Sequence, residues 1–120
     1  MPKTEVILFA EEDGTSPLVE WLDGLQSKAQ DKCIVRIERL AEMGHELRRP
    51  EADYLRDGIY ELRAALQGIQ YRMLYFFHGE QAVISHGLIK QREVPPKEID
   101  LAIKRKVRFE TNLLKHTYER

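Results

Sequence analysis

Four residues of this 120-residue chain have types and spacings that can do chemistry: Arg63, Arg72, His86 and Lys90. Arg63 and Arg72 fall in two β-rich runs separated by Gln67-Gly68, which places them on neighbouring strands. An arginine inside an otherwise apolar strand is costly to bury unpaired. Each therefore faces water, a carboxylate or a ligand. A guanidinium stays charged and grips phosphate through parallel N–H groups; an internal ion pair, with Glu61 or Glu98 for example, is the alternative. His86 and Lys90 share a strand at an even spacing, so both point to one face. A histidine titrates near neutrality and can carry a proton, although a strand histidine also serves as a hydrogen-bonded core residue. Lys90 and Arg92, at the strand's end, can hold phosphates or form a solvated terminus.

These side chains need a scaffold, and the hydrophobic pattern supplies one. Thr4 to Ala10 is an apolar run that reads as a strand covered on both faces. Ser16-Pro17 starts a helix, with Ser as N-cap and Pro at the first position, and Leu18, Leu22 and Leu25 line it beside Trp21. Ser27 and Gln30 read as the capping box of a second helix, whose stripe is Cys33, Ile34, Ile37, Leu40 and Ala41 and whose stop is Gly44. The two form a helical hairpin. Pro50 to Gly58 reads as a connection. Ile59 to Leu66, Ile69 to Phe77 and Gln81 to Ile89 form an antiparallel meander. Val94-Pro95-Pro96 ends the sheet, and Pro96 and Glu98 open a third helix with Ile99, Ala102, Ile103 and Val107 on its apolar face. The order is β-α-α-β-β-β-α, an α+β fold in which a helical hairpin and a C-terminal helix pack an antiparallel sheet. Residues 1–120 read as a single domain, with 113–120 a tail that continues the helix or frays.

Composition narrows the function classes. Cys33 is the single cysteine, so no internal disulfide is expected, and its place on an apolar stripe makes it a core residue. His45, His78 and His116 have no metal-ligand spacing with each other or with Cys33, and there is no Gly-rich phosphate loop or serine-nucleophile motif. No metal or other cofactor is expected. No apolar run reaches transmembrane length and no signal peptide opens the sequence, so a cytoplasmic protein without membrane contact is expected. The net charge of −1 conceals an asymmetry. Residues 1–58 carry 8 Lys/Arg against 13 Asp/Glu, and residues 59–120 carry 11 against 7. The excess in the second half either offers a local positive surface to a polyanion or complements the acidic first half internally.

One ordered set of short motifs resembles a known family. It runs Gly58-Ile59-Tyr60-Glu61-Leu62-Arg63, Gly68, Tyr71-Arg72 and Tyr75-Phe76, then Ser85-His86-Gly87-Leu88-Ile89-Lys90, and closes with Pro96, Glu98-Ile99 and Ala102. In this order and spacing, over roughly residues 44 to 108, the set resembles the HigB-like, phage-derived branch of the RelE/ParE toxin superfamily. The resemblance implies a type II toxin that cuts messenger RNA, usually at the ribosome. It also implies a cognate antitoxin, typically a helix-turn-helix protein, that holds the toxin inactive in a hetero-oligomer. Two positions depart from the pattern. Relatives often carry a lysine three residues after the proline matched to Pro50, where this chain has Asp53, and a second lysine after the one matched to Lys90, where it has Gln91. Both thin the basic surface.

RNA brings its own nucleophile, the 2′-hydroxyl, so an endoribonuclease of this kind needs no metal. It needs positive groups on the non-bridging phosphate oxygens and groups that move protons at the two ester oxygens. Arg63, Arg72, His86 and Lys90 are the catalytic candidates. Tyr75, Arg92, Lys104 and Arg105 are the RNA-binding candidates, Tyr75 as a base-stacking ring or a core residue, Lys104 and Arg105 as part of a basic run that reaches RNA or an acidic antitoxin segment or is simply solvated. Two alternatives share the fold: a ParE-like toxin that binds DNA gyrase without cutting RNA, and a weakly active or non-catalytic toxin acting as co-repressor with its antitoxin.

Overall fold

The computed structural model describes residues 4–119. The chain runs β1 (Glu5–Leu8), α1 (Pro17–Asp23), α2 (Ser27–Met43), a 3-10 turn (Gly44–Glu46), β2 (Ala52–Arg56), β3 (Ile59–Leu66), β4 (Ile69–His78), β5 (Gln81–Ile89) and α3 (Pro96–Thr111). The five strands form one sheet in the order β1-β5-β4-β3-β2. β2 to β5 make an antiparallel meander. β1 lies parallel to β5 at the far edge, so the sheet is mixed. The fold is α+β, with α1 and α2 on one face and α3 on the other.

β2 is a strand where a connection was expected. Its signal is Asp57-Gly58, which takes φ of 53° and 83°, the two left-handed residues of a tight hairpin turn that matches strand twist. Gln67-Gly68 repeats the arrangement between β3 and β4, at 52° and 80°.

The helices start and stop for local reasons. The Ser16 hydroxyl accepts from the Val19 amide at 3.2 Å with Pro17 behind it. The capping box expected at Ser27 does not form: Gln26 is the N-cap and Ser27 the first helical residue. The joint is so short that the Gln30 side chain instead donates back to the Leu22 carbonyl at 2.7 Å, tying α2 to α1. Gly44 caps α2 at φ 54°, and a Cβ there would collide with the Thr4 side chain.

Each face of the sheet has its own core. Leu18, Cys33, Leu40, Leu62, Met73, Tyr75 and Ile84 pack under α1 and α2. Phe9, Ile59, Leu74, Phe76, Val83, Ile99 and Phe109 pack under α3. Burial raises the Cys33 thiol to about 11, which leaves it an inert core group. Ile34 and Val107, expected on buried stripes, are exposed. On α3 the buried face is Ile99, Ala102, Arg105 and Phe109. After α3 the chain returns to β1: Thr117 bridges to Phe9, the Tyr118 amide donates to Leu8 at 2.9 Å, and buried His116 stacks on Phe9.

Candidate functional site

Arg63 and Arg72 face each other directly across β3 and β4. Their face is the one that α3 only partly covers, because the alternation that buries Leu62, Ala64, Tyr71 and Met73 under α1 and α2 turns Glu61, Arg63 and Arg72 the other way. Glu61, only 2% exposed, binds both guanidiniums. Arg72 reaches its Oε1 at 2.6 Å, and Arg63 reaches its Oε2 through NH2 at 2.7 Å and Nε at 3.0 Å. Asp53 on β2 takes a further bond from Arg63 at 3.2 Å. Glu61 and Arg63 alternate along one strand, so their shared face was readable in the sequence. The second arm from Asp53 depends on β2 being a strand.

These groups floor an open concavity of about 450 Å³, walled by β2, the bend after β5 and the start of α3, with Arg56 and Arg92 among its lining residues. Asp53, Glu61 and Glu93 are its lining acids. Among the described residues the Arg72 Nε is buried without a hydrogen-bond partner, a costly state for a charged donor. Arg56 is engaged with Asp57 and Asp100. Arg92 is exposed. Gln91 beside it accounts for one of the two departures from the toxin pattern. Its side chain accepts from the Gln70 amide at 2.9 Å and donates to the Gly68 carbonyl at 2.8 Å, clamping the bend to the β3–β4 turn.

His86 does not reach this surface. The ladder between β4 and β5 shifts after Leu74, which pairs with His86 while Tyr75 pairs with Ile84. Ser85 is the extra residue of a β-bulge. Ser85 and His86 consequently both turn toward α3. The Ser85 hydroxyl lies 2.8 Å from His86 Nδ1, and His86 Nε2 lies 2.9 Å from the Glu98 carboxylate of α3. The order Ser–His–carboxylate is that of a nucleophilic triad. Yet Ser85 is fully buried, so no substrate reaches its oxygen and the three residues serve as a staple. Burial lowers the His86 pKa below its ordinary 6.5 against the opposing pull of Glu98, with Arg105 adding to the lowering.

The remaining candidates divide by exposure. Lys90 is exposed just beyond β5, and Lys104 is exposed on α3. Tyr75 and Arg105 are corrections as RNA contacts. Tyr75 is 1% exposed, stacked on Tyr60, and burial drives its hydroxyl well above the usual tyrosine range. Arg105 occupies a core position of α3, bound to Glu11 at 2.7 Å with its guanidinium over the Phe9 ring. Its stem replaces an apolar side chain while its head finds a carboxylate.

A larger hollow of about 580 Å³ lies across β2 from the concavity, lined by His45, Arg48, Arg49, Tyr54 and Tyr60 among others. Asp53 and Tyr54 line both spaces.

Among the described residues no His, Cys, Asp or Glu side chains group as a metal site, and no helix is long and apolar enough to cross a membrane. No curated protein matches the chain significantly. Residues 20–107 match the family model described as "Phage derived protein Gp49-like (DUF891)", a family associated with RelE-like toxins. This covers α2, β2 to β5 and most of α1 and α3, and with them every wall of the arginine concavity. The chain belongs to the Gp49-like family of phage-derived proteins.

Proposed function

We propose that this protein is the toxin of a toxin–antitoxin pair and acts as a metal-independent endoribonuclease on messenger RNA, most effectively at the ribosome. The observation that carries this reading is the pairing of Arg63 with Arg72 across adjacent strands on the floor of an open concavity. Two guanidiniums held at a fixed spacing suit the non-bridging oxygens of one phosphodiester, where charge grows as the 2′-hydroxyl attacks. Glu61 and Asp53 set that spacing and prevent the arginines from repelling each other. Arg92 and Lys90 supply the neighbouring phosphate contacts. Glu93 replaces His86 as the proton acceptor in this scheme, because it lines the concavity and His86 is sealed beneath α3. A concavity of arginines with one peripheral carboxylate cleaves slowly by itself, since well-placed acid–base groups contribute about 10²–10⁴-fold. That favours an enzyme which relies on the ribosome to position its substrate. The expected partners are the messenger, the ribosome and a helix-turn-helix antitoxin.

The test is induction in a bacterial host, with translation rate, mapped transcript ends and DNA-damage response read separately. Wild type is expected to halt translation and generate new transcript ends. Arg63→Ala and Arg72→Ala are each expected to reduce cleavage about 100-fold or more. Full toxicity in both single variants and in the double variant would remove this site.

A second reading has one observation in its favour. Arg63, Arg72 and His86 are all already engaged by carboxylates, as suits a toxin that arrests growth by binding a protein such as DNA gyrase. An early DNA-damage response with intact transcripts would select it. Absent growth arrest with antitoxin binding retained would select a co-repressor role.

A further inference from the structure

We propose that the hollow across β2 is a base-binding subsite for an unpaired RNA strand, with Tyr54 as its stacking platform and Arg48 and Arg49 as its phosphate contacts. The proposal rests on the reading of the arginine concavity as an RNA phosphate site, and extends the bound strand around the sheet edge by about one nucleotide.

Tyr54 is 52% exposed, unusual for a ring at the centre of a strand, and it is not loose. Its hydroxyl accepts from the Gly58 amide at 3.0 Å, and its ring meets Tyr60 edge-on at 5.0 Å. Behind it the aromatic array continues from Tyr60 to Phe77 and from Phe77 to the exposed His45 ring, stacked at 3.6 Å. An exposed ring fixed in advance loses little entropy when a base settles on it. Stacking accepts any base, because every base has a π-face. The space of about 580 Å³ is within the range of small-molecule sites.

The charges fit the same ligand. Arg48 is anchored by one nitrogen to the backbone carbonyls of His45 and Leu47 and is exposed. Arg49 is exposed too and gives its Nε to Asp53 Oδ2 at 2.9 Å. That same Oδ2 holds Arg63 at 3.2 Å. One carboxylate therefore fixes a guanidinium on each side of β2. The spacing between the hollow and the concavity is set by Asp53. That residue couples two phosphate-binding arginines. An acidic partner peptide would use Arg48 and Arg49 but has no need of a sequence-tolerant ring beside them, which is why RNA is the occupant inferred.

The experiment measures binding of full-length protein to a fluorescent single-stranded RNA 12-mer, the same RNA as a duplex, and the 12-mer with single abasic positions. Tyr54→Ala is expected to weaken single-strand binding about tenfold or more, with Tyr54→Phe close to wild type and circular dichroism unchanged in both. The abasic oligonucleotide that loses affinity for wild type should lose little further with Tyr54→Ala, a coupling that general loosening of the fold does not produce. Arg49→Ala is expected to weaken binding of every oligonucleotide to a similar degree. Equal affinity of wild type and Tyr54→Ala for the single strand overturns the subsite, and so does a Tyr54→Ala defect confined to antitoxin binding. Either result leaves the cleavage assay of Arg63→Ala and Arg72→Ala standing. Conversely, full cleavage by those variants with the Tyr54 effect intact removes the catalytic assignment and keeps the base subsite.

Discussion

Glu61 carries more of the site than either arginine. It is almost wholly buried and satisfies two guanidiniums at once. Removing it leaves two like charges side by side, one of them on a side chain only 12% exposed. Breaking a buried pair in this way typically costs about 3–5 kcal/mol. Glu61→Ala is accordingly expected to unfold at markedly lower urea, and inorganic phosphate should raise its melting temperature more than that of wild type. A phosphate dianion can take the vacated carboxylate's place, and a ligand that binds only the folded state stabilises it. Equal phosphate responses would mean that the guanidiniums are not positioned to share an anion. His86 makes a second prediction of the opposite sense. Its folded pKa lies below the ordinary 6.5, so the folded state prefers the neutral ring. Between the two pKa values the unfolded chain binds more protons. The contribution of His86 is complete above about pH 6.5 and is lost as pH falls through the lowered folded value. The groups facing it are Ser85 on its own strand and Glu98 and Arg105 on α3. Urea titrations of wild type and His86→Gln from pH 7.5 to 5 check this. The variant should be less stable near neutrality, and the gap should narrow toward acid. A gap that widens toward acid would mean that His86 is charged in the fold and that Glu98 dominates burial.

At the level of elements, the contact that seats α1 on the sheet is the most exposed to a single atom. Gly87 has no side chain, and the Trp21 ring occupies the space a Cβ would take. Gly87→Ala is expected to cost about 1–3 kcal/mol of unfolding free energy through overpacking. Trp21→Leu should cost less in that background than in wild type, since it removes the obstruction. Additive effects in the double variant would place the strain elsewhere. The contact exists because of the bulge at Ser85. Had the strand alternated regularly through Ser85, Ile84 and His86 would share a face and Gly87 would point toward α3. With the bulge, Ile84 and Gly87 lie under α1 and α2, and Ser85 and His86 turn to α3. This is where reading the sequence ran out. Helix starts set by local chemistry, such as Ser16-Pro17, were legible, and so were the meander and the adjacency of Arg63 and Arg72, because period-2 alternation and Gly turns are local signals. The bulge has no such signal, since one inserted residue leaves composition and hydropathy unchanged. That made the projection of His86 from even spacing unsafe. β2 did have a signal in Asp57-Gly58, but its alternation is masked by the charges Asp53 and Arg56 at a sheet edge. With the strand went Asp53, Tyr54 and the hollow behind them. Tyr75 and Arg105 were misplaced for another reason: residue type sets what a side chain can do, and tertiary packing decides whether it meets solvent.

Part of the charge asymmetry along the chain goes into ion pairs that join its two halves. Glu11 holds Arg105 and Arg108, Glu12 holds Lys115, Asp53 holds Arg63 and Arg56 holds Asp100. Lys115 holds the Glu12 carboxyl below its ordinary value. Lys97 and Lys104 on α3 stay exposed. The cations given phosphate contacts above lie around β2 and the bend after β5: Arg48, Arg49, Arg63, Arg72, Lys90 and Arg92. This sets the salt dependence of RNA binding. Each phosphate neutralised on a single strand contributes a slope of about −0.7 in log affinity against log salt. Six contacts give a slope of roughly −4, a loss of about 300-fold between 50 and 200 mM salt. A protein that opened its internal pairs and laid all of α3 on RNA would instead show a slope steeper than about −6 by the same rule. Anisotropy titrations of the single-stranded 12-mer across that salt range separate the cases. A steep slope would mean that Glu11 surrenders Arg105 and Arg108 on binding and that α3 belongs to the interface. A slope near zero would deny any phosphate contact and, with it, the role given to Arg63 and Arg72. The intermediate value is the one that six cations around one edge strand and the bend after β5 require, three of them fixed by Glu61 and Asp53.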